Sequence, residues 1–302
     1  MNTLLVITGP TAVGKTELCL DIAESLNIPI INADSRQIYK GMKIGTAAPT
    51  AEQLARVKHY FVGTLELEQY YNASMYEQDV MTLLQQMFDN QNNALALMTG
   101  GSMMYIDAVC NGIDDIPTIR DDVRLLFKRR LEEEGLEPLL AELQQLDPEY
   151  YSIVDRNNAR RVVHGLEICH QTGLTYTSFR VKEKKQRPFR IVKIALNRNR
   201  EQLYARINSR VDEMVAKGLE DEARQLYPHK DLNSLNTVGY KEMFNYIEGT
   251  WPLDEAIERI KGNTRRYARK QLTWYKKDDD IVWFDAAETE KIKKYIVDKL
   301  TS

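Results

Sequence analysis

The sequence predicts an α/β fold, a parallel sheet core flanked by helices with an all-helical insertion, and three observations carry that prediction. The chain opens with an apolar run, Leu4-Leu5-Val6-Ile7-Thr8, that leads through Gly9-Pro10-Thr11-Ala12-Val13-Gly14-Lys15-Thr16 into a helix-like stretch ending at residue 26. Two further short apolar runs, Pro29-Ile30-Ile31-Asn32-Ala33 and Ala94-Leu95-Ala96-Leu97-Met98-Thr99, are set apart by helix-length segments. Such runs are the pattern of strands buried on both faces of a parallel sheet. From residue 117 to 187 the pattern changes, and only amphipathic helical stretches are evident.

The first observation also carries chemistry. The octapeptide fits G-x-x-x-x-G-K-[ST]. A strand delivers it and a helix leaves it, so backbone N–H groups and the helix N-terminus converge on an anion. The core is therefore expected to be P-loop NTPase-like. Gly9, Pro10, Thr11, Ala12, Val13, Gly14, Lys15 and Thr16 are the candidate phosphate-binding residues, with Lys15 a point charge and the Thr16 hydroxyl a magnesium ligand. The competing reading is a glycine-containing βα turn that binds nothing.

The remaining elements follow in order. Residues 121–134, 138–145 and 158–171 read as the helices of the insertion, which gives expected units at 1–116, 117–187 and 188–302. The Lys/Glu-rich stretch 182–187 reads as a solvated linker. Phe189-Arg190-Ile191-Val192-Lys193-Ile194-Ala195-Leu196 returns to strand character. Helices are expected at 200–217, 219–226, 241–247 and 254–275, then a last strand, Ile281-Val282-Trp283-Phe284, and a charged closing helix. Ligands of such sheets bind at the carboxyl ends of the strands. Three polar segments lie there: the phosphate loop, Asp34-Ser35, and Thr99-Gly100-Gly101-Ser102.

Composition sets the outer limits. At 302 residues, 43% apolar and 28% charged, the chain has material for a sizeable core. A net charge of −3 argues against a uniformly basic nucleic-acid binder but leaves room for a local patch. Cys19, Cys110 and Cys169 lie far apart, and His59, His164, His170 and His229 show no i, i+4 pairing, so neither a disulfide framework nor a His-rich metal site is indicated. The apolar start spans about five residues against the ~20 needed to cross a bilayer. A cytoplasmic monomer, with no membrane association and no obligate protein partner, is the expectation.

Asp34 directly follows the second strand, at the edge where the phosphate loop lies. A carboxylate there acts as a general base or a magnesium partner, or else simply caps a turn. The third strand ends in Met98-Thr99-Gly100-Gly101, without the Asp that many P-loop NTPases use to hold magnesium. That weakens a motor or switch reading. Residues 259–277 form a basic helix interleaved with Tyr267, Trp274 and Tyr275 and free of acids. Cations with aromatic rings suit phosphate backbones and unstacked bases, although a charge run is also simply a solvated face. Asn157-Asn158-Ala159-Arg160-Arg161 opens a helix of the insertion. Arg206 and Arg210 share one helix face, as an anion clamp or as surface ion-pair partners.

These residues match a known family. The chain resembles the tRNA dimethylallyltransferases, bacterial enzymes that prenylate an adenosine beside the anticodon. The matching pieces are the phosphate loop; Asp34-Ser35-Arg36-Gln37-Ile38-Tyr39-Lys40-Gly41-Met42-Lys43-Ile44-Gly45-Thr46-Ala47; Gly100-Gly101-Ser102-Met103-Met104-Tyr105; Arg206-Ile207-Asn208-Ser209-Arg210-Val211-Asp212-Glu213-Met214; Val238-Gly239-Tyr240-Lys241-Glu242; and residues 264–274.

The resemblance implies that dimethylallyl diphosphate places its diphosphate on the loop with Mg2+, and that diphosphate is the leaving group. It implies Asp34 as base, Arg210 near the diphosphate, and Ser102, which stands where the family usually has Thr, as the hydroxyl near the reacting groups. The acceptor implied is N6 of the adenosine next to the anticodon (position 37 of the tRNA) in tRNAs reading codons that begin with U. The implied tRNA contacts are Asp34, Ser35, Arg36, Gln37, Met103, Arg124, Arg160, Arg161, His164, Val238, Gly239, Tyr240, Lys241, Arg269, Lys270, Gln271 and Trp274. Two departures bear on RNA contacts: Ala48 stands for the common Lys, and His164 where Arg is common. Prenylation of free adenosine nucleotides, a small-molecule kinase, and a non-catalytic RNA binder with a nucleotide switch are the competing functions.

Overall fold

The computed structural model describes residues 1–89, 94–181 and 183–301. In chain order the elements are β1 (Thr3–Thr8), α1 (Lys15–Leu26), β2 (Ile30–Asn32), α2 (Ala51–Arg56), β3 (His59–Tyr60), α3 (Ala73–Phe88), β4 (Leu95–Thr99), α4 (Met103–Asn111), α5 (Asp121–Glu134), α6 (Leu136–Leu146), α7 (Pro148–Ile153), α8 (Ala159–Thr172), α9 (Tyr176–Phe179), β5 (Arg190–Asn197), α10 (Arg200–Ala216), α11 (Leu219–Leu226), α12 (Tyr240–Ile247), α13 (Leu253–Tyr275), β6 (Val282–Asp285) and α14 (Thr289–Thr301). They form two compact units, residues 1–111 with 186–302, and residues 112–185.

The first unit is built on a six-stranded sheet, ordered β3-β2-β4-β1-β5-β6, with every pair parallel. Side chains alternate across β1, so Leu5 and Ile7 pack with Leu18, Leu20, Ile194, Leu203 and Ile207 on one face. Leu4 and Val6 pack with Tyr76, Val80, Met98 and Val109 on the other. Burial on both faces is why β1 reads as an unbroken apolar run. A third cluster joins Met42, Leu219, Tyr240, Met243 and Ile260.

The second unit is helical, α5 to α9, around Phe127, Leu139, Leu143, Val162 and Leu166. Asp147 caps α7 by accepting the Tyr150 amide at 3.0 Å, and it also takes the Thr177 amide at 2.8 Å and hydroxyl at 2.7 Å. Gly165 lets α8 approach α7: a Cβ there would lie 2.8 Å from the Tyr150 ring.

Two sequence expectations are corrected. β3 was not foreseen, because its two residues, His59 and Tyr60, make no apolar run. The solvated linker at 182–187 ends in a residue whose side chain is covered. Arg187 Nη2 pairs with Glu77 at 2.6 Å, both side chains under 9% exposed, and Arg187 also donates to the Val109 and Ala108 carbonyls at 2.8 and 2.7 Å. Lys182 lies outside the described residues.

Candidate active site

The register brings three strand ends together. Thr99 of β4 is paired with Ile7 of β1 and with Asn32 of β2. Beyond these pairs the backbones nearly touch: a Cβ on Gly100 would lie 2.2 Å from the Ala33 carbonyl, so only glycine fits. The Ser102 amide donates to the Ala33 carbonyl at 3.0 Å, and the Ser35 amide donates to Ser102 Oγ at 2.8 Å. Ser102 Oγ in turn donates to Ser35 Oγ at 2.9 Å.

Asp34 stands between them. Its Oδ1 accepts the amides of Arg36 and Gln37 at 2.9 and 3.2 Å, which is the turn-capping role. Its Oδ2 accepts no hydrogen bond among the described residues and lies beside Gly101, where a Cβ would come within 2.8 Å of it. One carboxylate oxygen holds the turn and the other is available for chemistry.

The phosphate loop needs unusual backbone. Gly9, Ala12 and Gly14 have φ of 140°, 63° and 114°, and a Cβ on Gly9 would sit 2.6 Å from the Leu196 carbonyl oxygen. Lys15 Nζ donates to the Gly9 and Pro10 carbonyls at 2.8 and 3.0 Å. Burial, and then the charge of Arg210, pull the Lys15 ammonium down to about 8. Thr16 is exposed at the start of α1.

Three arginines hold the loop from outside. Arg198 Nε donates to the Val13 carbonyl and Arg206 Nε to the Ala12 carbonyl, both at 2.8 Å, and Arg210 reaches Thr11 Oγ1 at 3.4 Å. Arg206 and Arg210 therefore face the loop together from α10. Burial pushes the Arg210 guanidinium below its ordinary range, against the opposing pull of Asp34 and Glu213. The result is concentrated positive charge beside a helix N-terminus, suited to a phosphate chain.

The basic helix, α13, is joined to both segments. The Thr11 amide donates to Gln271 Oε1, and Gln271 Nε2 donates to the Gly101 carbonyl, each at 2.8 Å. Tyr267 OH donates to the same carbonyl at 2.8 Å. Trp274 Nε1 donates to Asp107 at 2.7 Å. Lys270 is exposed, whereas Arg269 is exposed but bonded to Tyr204 OH at 3.0 Å.

The other expected residues are distributed as follows. Arg36 donates to the Asn233 and Ser234 carbonyls at 2.7 and 3.0 Å, and Gln37 Nε2 to those of Thr46 and Ala47 at 3.0 and 3.1 Å. Met103 and Val238 are half-buried and Lys241 is exposed. The side chains of Tyr240 and Gln271, both 0% exposed, face inward with their polar atoms already bonded. Gly239 has φ 102° and gives its amide to Glu242 at 2.8 Å. In the helical unit, Arg160 and Arg161 are exposed at the start of α8, just after its cap Asn158. His164 follows one turn later, 3.5 Å from Glu167, and Arg124 is half-buried on α5.

Sequence reasoning missed Arg198, Glu222 and Glu242, and it gave Tyr267 only as an aromatic of the basic helix, not as a partner of the Gly101 carbonyl. Tyr267 lay within reach of it, four residues before Gln271 on one helix face. Glu222 carried no signal, because most of its partners are backbone amides.

The comparisons with known proteins agree with one another. The family model described as IPP transferase matches residues 37–278. The chain is 60% identical over 295 residues to tRNA dimethylallyltransferase 1 of Phocaeicola vulgatus, covering 98% of each. It is 58% identical to tRNA dimethylallyltransferase 1 of Bacteroides fragilis, covering 98% of this chain and 97% of that one. Among solved structures it is similar to the full-length tRNA isopentenylpyrophosphate transferase from Bacillus halodurans, with 34% identity, a TM-score of 0.72, and coverage of 100% of this chain and 97% of the other.

Proposed function

Because the chain belongs to the IPP transferase family, we propose that it transfers a dimethylallyl group from dimethylallyl diphosphate to N6 of the adenosine next to the anticodon (position 37) of tRNAs reading codons that begin with U. The observation that carries this reading is the placement of Asp34 Oδ2, without a hydrogen-bond partner among the described residues, at the sheet edge that also holds the phosphate loop. The strand beside them ends in Thr99-Gly100-Gly101 and offers no second carboxylate.

The N6 amine attacks the allylic carbon and the C–O bond to diphosphate breaks. The adenine N6 lone pair is delocalised into the ring, so loss of its proton helps the attack, and Asp34 Oδ2 takes that proton. Lys15, Arg210 and the N-terminus of α1 stabilise the charge that grows on the departing diphosphate. Ser102 keeps the Asp34–Ser35 turn against the β4–α4 turn. The base must leave its stack to be reached. Exposed Arg160, Arg161, Lys241 and Lys270 are the surface cations proposed to meet the RNA.

No cluster of three or more His, Cys, Asp or Glu able to hold a metal occurs among the described residues. That fits a magnesium carried largely by diphosphate and water, since this ion keeps several waters and takes few protein ligands. Thr16, open at the start of α1, is the protein donor proposed for it, and the bound ion would neutralise charge on the leaving group. No helix among the described residues is long and apolar enough to cross a membrane.

The test is incubation with undermodified tRNA, dimethylallyl diphosphate and magnesium, followed by digestion and detection of prenylated adenosine. A folded sample that leaves the tRNA unmodified overturns the reading. Preference for AMP over tRNA in competition would reassign the acceptor to free nucleotides.

A further inference from the structure

Three consecutive amides of the segment after the Asp34 turn point at one spot, and a carboxylate fills it. The Lys43 amide donates to Glu222 Oε2 at 3.0 Å, the Ile44 amide to Oε2 at 2.8 Å and Oε1 at 3.0 Å, and the Gly45 amide to Oε1 at 2.8 Å. Tyr240 OH adds a fourth donor, to Oε1 at 2.7 Å. Glu222 is buried, and Gly45 is pressed so closely on the Tyr240 ring that a Cβ would come within 2.6 Å of it. Successive amides of this kind form an anion-binding nest. Here the anion is the chain's own carboxylate, delivered from α11.

The nest has consequences on both sides. Just beyond it, Thr46 and Ala47 present the two carbonyls that orient the Gln37 amide, and Gln37 shares Asp34 Oδ1 with Arg36. On the far side, Tyr240 follows Gly239, whose amide is held by Glu242, and Glu242 also takes Asn263 of α13 at 2.6 Å. Glu222 is thus the joint between the 34–37 turn and the 238–241 segment.

We infer that Glu222 is a positioning residue that sets the mutual placement of these two segments and so the affinity for the RNA substrate, without touching RNA or the reacting atoms. The inference rests on the reading that both segments face the tRNA. Removing the carboxylate leaves three part-buried amides and the buried Tyr240 hydroxyl without their acceptor, which frees the loop while the phosphate loop keeps its own supports from Arg198, Arg206 and Lys15.

The experiment is steady-state prenylation by the full chain carrying Glu222→Gln, Glu222→Ala or Tyr240→Phe. Glu222→Gln is expected to raise the KM for tRNA by about tenfold while kcat and the KM for dimethylallyl diphosphate stay within about twofold, the signature of lost ground-state placement. Tyr240→Phe, which removes one donor of four, is expected to act in the same direction by a smaller factor. In Glu222→Ala, added formate is expected to refill the nest and lower the raised KM for tRNA, a recovery that a general loss of folding would not show. A tRNA KM unchanged in Glu222→Gln, or a kcat that falls while both KM values rise together with no response to formate, overturns the inference. An inactive wild-type chain would instead overturn the prenylation reading itself.

Discussion

The ammonium of Lys15 donates to the carbonyl of Gly9 at 2.8 Å, so the charge proposed to meet a phosphate is held by the loop itself. Carbonyl partners compensate a buried ammonium only in part, and its proton affinity falls to about 8 from the ordinary 10.5. The folded protein therefore releases this proton before the unfolded chain does. Lys15 destabilises the ligand-free fold below pH 8, and that penalty fades as pH rises towards 10.5. Lys15→Met is expected to melt at a higher temperature than wild type at pH 7, with the gap closing above pH 8. A diphosphate monoester is fully ionised there and restores the ammonium, so its affinity should fall as pH passes through about 8. Calorimetry in buffers of different ionisation enthalpy should register proton uptake on binding that Lys15→Met abolishes.

The proposed mechanism gives the two oxygens of Asp34 separable duties, and two substitutions distinguish them. Asp34→Asn keeps an acceptor for the Arg36 and Gln37 amides but cannot take a proton. It is expected to lower kcat by about 10²- to 10⁴-fold, the range for a lost general base, with the KM for tRNA little changed. Asp34→Ala also releases the turn, and should raise that KM in addition. Normal turnover in Asp34→Asn would remove the base assignment.

The cations of α13 divide by what they already touch. Arg265 is bonded to Asn208 at 2.6 Å, Arg266 to Asn263 at 2.7 Å, and Lys261 to Asp212 and Glu258 at 2.9 Å. Lys270 of α13, and Lys276 and Lys277 just beyond its end, are exposed and have no such partner among the described residues. Plotting log affinity for tRNA against log salt in wild type and in Lys270→Ala or Lys276→Ala should show each lysine that meets a phosphate lowering the slope by about 0.7 to 0.9. Arg265→Ala should act mainly on stability. A flat salt response in wild type would take α13 out of the interface.

The legible parts of this fold are those where one physical demand dominates a stretch of sequence. β1 was readable because both its faces are buried, and the loop because Gly9 and Gly14 occupy backbone regions that favour glycine. α8 announced itself through Asn158, which accepts the Arg161 amide. β3, at two residues, has too few positions to show a period. The resemblance made Gln271 a tRNA contact, yet both ends of its amide are spent inside. The Glu222 nest was invisible because amides at 43, 44 and 45 leave no mark on residue type.

Arg187 shows the same limit at the edge of the first unit, and its burial can be measured. Its guanidinium meets Glu77 at 2.6 Å and two carbonyls of α4, with both side chains under 9% exposed. Breaking a buried pair by removing one partner strands the other charge, at a cost of about 3–5 kcal/mol. Arg187→Met should therefore lower the urea midpoint sharply. Arg187→Lys should recover only part of the loss, since a lysine carries the charge without the fork that reaches both the carboxylate and the carbonyls. The double variant Glu77→Gln with Arg187→Met should regain much of the difference, because no charge is left buried alone. Trp251, Trp274 and Trp283 all lie in the α/β unit, so tryptophan fluorescence follows its unfolding selectively. A midpoint for Arg187→Met equal to that of wild type would mean that the pair contributes nothing net and that the segment behaves as the solvated linker its composition resembles.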